Sequence, residues 1–141
     1  MRKLVVGTLL AAVLAGAIGA MANAQAQPRV QRYGSVIGLK ADKLEYYKKL
    51  HANAWPEVVK TISVCNIRNY SIYLHRLDDG QYYLFSYFEY VGSDFEADMA
   101  KMAADPMTQK WWKETDPCQF PIKDRKEGER WASMEEVFHC P

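Results

Sequence analysis

The chain has 141 residues, with 18 Lys and Arg against 17 Asp and Glu and a net charge of +1. That balance argues against nucleic acid as a partner, because phosphate neutralisation needs a concentrated basic surface and the sequence has none. Aromatic residues are plentiful, with 9 Tyr and 4 Trp, so recognition by ring faces is the chemistry the composition favours.

Arg2 and Lys3 precede an apolar run from Leu4 to Met21 that ends in Ala22-Asn23-Ala24. A short basic start, an apolar stretch and a small-x-small end form a secretory signal peptide, residues 1–24. A second cut after Ala26 has the same form, and an uncleaved anchor is the alternative. The chain is therefore expected to be exported, to the periplasm or the medium, with no stable membrane span once the signal is removed. Residues 25–141, about 115 in number, are enough for one domain with one core.

Tyr33 to Leu39 reads as a strand with Tyr33, Ser35, Ile37 and Leu39 on one side. A helix is expected from Asp42, with Asp42 and Glu45 as a capping box. Along it Leu44, Tyr47, His51 and Ala54 recur at steps of three and four and share a face. Pro56 lacks an amide proton and should kink or restart this helix from its own first turn. Two strands follow, 66–77 and 81–91, joined by Asp78-Asp79-Gly80, whose Asp-Gly pair signals a hairpin. Aromatic residues fall on both faces of the second strand, so both faces should be covered.

Ser93 and Glu96 form a second candidate capping box for a helix carrying Phe95, Met99 and Met102. Asp105-Pro106 caps and opens a short helix through Trp111 and Trp112. Residues 115–130 read as a polar loop and 131–138 as the last strand. The order is that of an α+β, ferredoxin-like βαββαβ sandwich. Helices cover one sheet face, and the other, apolar and aromatic, is expected to be buried against a second copy as a homodimer.

An exported chain meets an oxidising compartment, and Cys118 and Cys140 are the expected pair among Cys65, Cys118 and Cys140. No CxxC or HExxH occurs and the three histidines lack ligand spacing, so no metal site is expected. His51 is the proton-transfer candidate: it lies one turn from Tyr47, and imidazole donates and accepts protons near neutrality. Trp111 and Trp112 differ by about 100° in direction on a helix, so they cannot both face one spot. Tyr70 and Tyr73 lie on opposite sides of their strand, so only one of them can enter a given pocket.

The stretch YKKLHANAWPE at 47–57, the strand NYSIYL at 69–74, the QKWWK of the short helix and the terminal EEVFH resemble the L-rhamnose mutarotase family over nearly all of 33–141. The resemblance implies a dimeric α/β barrel in which His51 is the proton donor and Tyr47, Tyr70, Trp111 and Trp112 contact a monosaccharide. It implies no cofactor, because anomer exchange moves protons and neither electrons nor groups. The substrate so implied is L-rhamnose or a related 6-deoxyhexose. The export signal, the three cysteines and a longer loop at 116–130 depart from the family pattern. Two rival readings remain, an exported sugar-binding module without turnover, and the oxygenases and haem-degrading proteins that share the dimeric fold.

Overall fold

The computed structural model describes residues 30–141; the expected signal peptide lies outside them. In chain order the elements are β1 (Gln31–Leu39), a 3-10 turn (Ala41–Lys43), α1 (Leu44–Ala52), α2 (Pro56–Val64), β2 (Ile67–Arg76), β3 (Tyr82–Tyr90), α3 (Phe95–Ala104), α4 (Pro106–Thr115), a second 3-10 turn (Asp116–Cys118), β4 (Gln119–Phe120) and β5 (Ala132–Met134). The sheet is antiparallel in the order β2-β3-β1-β4, with β5 also paired to β1. This is the expected ferredoxin-like arrangement with one change. The last strand is not continuous over 131–138: the edge beside β1 is made of two short pieces, β4 and β5, with the intervening loop looped out between them.

Prolines set the helix breaks. The residue before a proline is driven out of the α region by a clash with the proline ring, and both Trp55 and Asp105 are extended, with ψ of 131° and 122°. Pro56 and Pro106 then occupy the first turns of α2 and α4, where the missing amide proton costs nothing. Two expected capping boxes do not form. Asp42 lies within the 3-10 turn and α1 has no side-chain cap, while α3 is capped by Asp94, which accepts from the Ala97 amide, and not by Ser93. A 3-10 turn delays the start of α1, and at α3 the neighbouring Asp94 takes the cap position. Asp105 caps as expected, accepting from both the amide and the hydroxyl of Thr108.

The Leu77–Gln81 turn closes the hairpin with Gly80 at φ 78°, a left-handed conformation that glycine adopts without penalty. The β2 strand is less regular than its sequence suggests. Its register with β3 slips between Arg68 and Ser71, and Asn69 has φ 50°, the signs of a β-bulge. The extra residue lets Ile67, at the strand start, Tyr70, within the bulge, and Ile72, beyond it, all face the helices.

The core lies between the sheet and α1, formed by Ile37, Leu39, Tyr47, Leu84 and Cys118. The opposite face carries Val36, Phe85 and Tyr73, in register across β1, β3 and β2, and Tyr73 is 64 % exposed there. On that face the Phe120 ring lies over Gly38, where an added Cβ would sit 2.2 Å from it. The cysteines are free thiols, Cys65 and Cys118 buried and Cys140 exposed. The expected Cys118–Cys140 bridge is absent: Cys118 is packed into the core beneath α4 and its thiol points to the Glu114 carbonyl, whereas Cys140 is on the surface.

Candidate active site

His51 sits in the last turn of α1, and its ring is held on three sides. Its Nδ1 is 2.9 Å from the Tyr47 carbonyl oxygen. A carbonyl can only accept, so Nδ1 carries the hydrogen and the neutral ring presents Nε2 as an acceptor. The Tyr47 ring stacks on the imidazole with centroids 4.1 Å apart, and Trp111 meets it edge-on at 5.1 Å. Trp111 is in turn fixed by Trp55 at 5.3 Å and 75°. The α1–α2 break is therefore functional in its effect, because it delivers Trp55 to the back of Trp111.

Two hollows meet at this ring. The larger, of about 530 Å³, runs between α1, α2 and the sheet and is walled by apolar side chains such as Val58, Ile62 and Leu74. The smaller, of about 260 Å³, is bounded by Trp112, Thr115, Asp116, Gln119, Arg130 and Trp131. Tyr47, His51, Tyr70, Ile72 and Trp111 line both. Together they lie within the range of roughly 300–1,000 Å³ typical of small-molecule pockets. An apolar chamber joined to a polar one suits a ligand with one hydroxyl-bearing edge and one hydrocarbon face.

Burial decides which groups can carry a proton. Loss of hydration pushes the His51 pKa below its ordinary 6.5, opposed in part by the hydrogen bond to the Tyr47 carbonyl. The Tyr47 phenol, almost fully buried, is pushed far up by desolvation, against a lowering by the Gln119 amide, whose Nε2 donates to it at 3.4 Å. Desolvation also raises Tyr70, although the residue as a whole is 44 % exposed. Both phenols thus keep their protons at neutral pH and do not serve as bases there. Among the described residues no group of three or more His, Cys, Asp or Glu could hold a metal ion.

All five sequence-based site residues come together: His51, Tyr47, Tyr70 and Trp111 surround the junction, and Trp112 stands at the rim of the smaller hollow. The two indoles differ in burial, Trp111 only 8 % exposed and Trp112 38 % exposed, although both border the smaller hollow. Of the two strand tyrosines Tyr70 enters and Tyr73 points away. Sequence reasoning missed Asp116, Gln119 and Arg130, which come from the stretch read as a solvated polar loop. Gln119 is nevertheless buried, and its Oε1 has no hydrogen-bond partner. Nothing in the local pattern distinguishes these three from ordinary loop residues.

The family profile described as L-rhamnose mutarotase matches residues 32–140. The L-rhamnose mutarotase of Lactiplantibacillus plantarum is 34 % identical over 108 residues, covering 77 % of this chain and 96 % of that protein. That of Oceanobacillus iheyensis is 33 % identical over 110 residues, covering 78 % and 98 %. Among solved structures, the L-rhamnose mutarotase of Formosa agariphila superposes with a TM-score of 0.58 at 22 % identity, over 79 % of this chain and 99 % of its own. Tetracenomycin F2 cyclase from Streptomyces glaucescens, at 13 % identity and a TM-score of 0.54, shares the fold.

Proposed function

Because the chain belongs to the L-rhamnose mutarotase family, and is thus a carbohydrate epimerase, we propose that it interconverts the α and β anomers of L-rhamnose or a related 6-deoxyhexose. The observation that carries the reading is the imidazole at the junction of the two hollows, oriented by the Tyr47 carbonyl and walled by Tyr47 and Trp111. Ring opening needs a proton on the ring oxygen as C1–O5 breaks and loss of the C1 hydroxyl proton. Rotation of the aldehyde and reclosure on its other face complete the exchange. In its protonated form His51 donates from Nε2 to the ring oxygen. Burial makes that imidazolium a stronger acid while reducing its population. The indole and phenol faces of Trp111, Trp112, Tyr47 and Tyr70 take the C–H face of the sugar, and the apolar chamber takes the 6-methyl group, where burial is worth about 25 cal/mol per Å².

Saturation-transfer NMR over a panel of aldoses is the direct test. Exchange between rhamnose anomers should be accelerated, with ordinary hexoses slower. Sugar binding with no acceleration would mean a non-catalytic module, and acceleration of ordinary hexoses alone would remove the 6-deoxyhexose preference.

Export and assembly belong to the same proposal. We place the enzyme outside the cytoplasm after removal of residues 1–24, which amino-terminal sequencing should report as a start at Gln25, or at Gln27 for the alternative cut; a start at Met1 would end this part. An extracellular anomer exchanger has a use wherever rhamnose-bearing polysaccharide is degraded. The sheet face turned from the helices, with Val36, Phe85 and the exposed Tyr73, and the exposed Val137 and Phe138 near the carboxyl terminus support a homodimer, since exposed apolar patches mark interaction sites. Light scattering should give twice the chain mass. A monomer at micromolar concentration would refute the assembly and leave the pocket untouched.

A further inference from the structure

Anomer exchange requires an acceptor for the C1 hydroxyl proton, and the titratable side chains around the two hollows are few. From α1 come Tyr47, Lys48 and His51, from β2 Tyr70, from the turn after α4 Asp116, and from the loop before β5 Arg130. The phenols hold their own protons, for the reason given above. Lys48 is engaged by Glu45 at 3.3 Å, and the Arg130 guanidinium offers donors and no acceptor. Asp116 is the one carboxylate bordering either hollow among the described residues.

Its placement is controlled. Asp116 opens the 3-10 turn that follows α4, so it leaves the helix next to the Trp112 end of the pocket. Arg130 holds it twice, donating from Nη2 to its backbone carbonyl at 2.6 Å and pairing through Nε with its Oδ1 at 3.2 Å. The grip leaves Oδ2 without a protein partner among the described residues. An Arg clamp on one oxygen orients a carboxylate and preserves its second oxygen as an acceptor.

We propose that Asp116 accepts the anomeric hydroxyl proton while His51 supplies one to the ring oxygen. The O1–H bond breaks toward the carboxylate, its electron pair forms the C1 carbonyl, C1–O5 breaks, and O5 takes the proton of the imidazolium. After the aldehyde rotates, the O5 hydroxyl attacks C1 and returns its proton to His51, while the protonated Asp116 returns one to O1. Both side chains end as they began, so no further reactant is required.

The assignment rests on the mutarotase reading, and the test separates the two. Asp116→Asn keeps the shape and an oxygen for Arg130 but is no base. It should lower kcat for rhamnose exchange by roughly 10²-fold or more, with the sugar affinity measured by calorimetry changing less than about threefold. In Asp116→Ala, added formate should restore part of the lost rate where chloride at equal ionic strength does not, a result that a purely structural role would not produce. A rate for Asp116→Asn within about threefold of the parent overturns the assignment. So does a parallel loss of rate and affinity with no rescue by formate. An unsubstituted protein that exchanges no sugar overturns this proposal together with the reading beneath it.

Discussion

His51→Ala should lower the rate of rhamnose anomer exchange by roughly 10² to 10⁴-fold, the usual contribution of a positioned general acid, with melting temperature changed by only a few degrees. The small effect on stability follows from the site: the ring is half-buried at a pocket wall, and the bond lost is a single one from Nδ1 to a carbonyl that stays within its helix. The pH dependence carries the sign of the mechanism. A donor must be protonated, and desolvation has moved the His51 pKa down from 6.5. The His51-dependent rate should therefore be lost as pH rises through that lowered value, and neutral solutions lie on the falling limb. A rate that climbs with pH across the same window would mean that neutral His51 acts first as a base. An exchange rate unaffected by the Ala substitution would remove His51 from the chemistry.

Trp111→Ala and Trp112→Ala should part company, although the residues are neighbours in sequence. Trp111 is 8 % exposed and wedged between His51 and Trp55, so truncation empties a large volume in the packed layer. Such Trp-to-Ala changes cost about 3–5 kcal/mol, which for a domain of this size lowers the melting temperature by roughly 10–30 °C. Its effect on binding is then inseparable from its effect on folding. Trp112 is 38 % exposed and borders only the smaller hollow. Its truncation should leave thermal unfolding nearly unchanged and weaken rhamnose binding by about tenfold, equivalent to about 1.4 kcal/mol of lost ring contact. Calorimetry showing full affinity for Trp112→Ala would take that indole out of the sugar site.

Much of the architecture is legible before any coordinates, and the reasons are local. The Asp-Gly turn, the two prolines that restart helices and the Asp105 cap act within four residues of themselves, and all three operate as read. Failures occur where one turn competes with another. Asp42 and Ser93 have the right chemistry for caps, but a 3-10 turn and the neighbouring Asp94 take those positions. The β2 bulge leaves no mark in the sequence, because a strand's alternation is broken by backbone pairing with β3, which no single-strand pattern encodes. The final strand reads as one piece because its hydrophobic pattern runs on, whereas the edge beside β1 accommodates only three residues of it.

The same division applies to the pocket. Tyr47 and His51 are four residues apart on one helix, so helical geometry alone stacks their rings and aims Nδ1 at the carbonyl one turn back. That pair, and the splitting of Trp111 from Trp112, follow from the order of amino acids. What closes the site does not. Gln119 reaches Tyr47 across a separation of 72 residues, and Asp116 meets Arg130 only because the chain leaves α4, crosses the sheet edge as β4 and returns toward β5. Contacts of that kind depend on how whole layers pack, since side chains so far apart along the backbone are brought together by burial of the shared core and not by any repeat in their own neighbourhood.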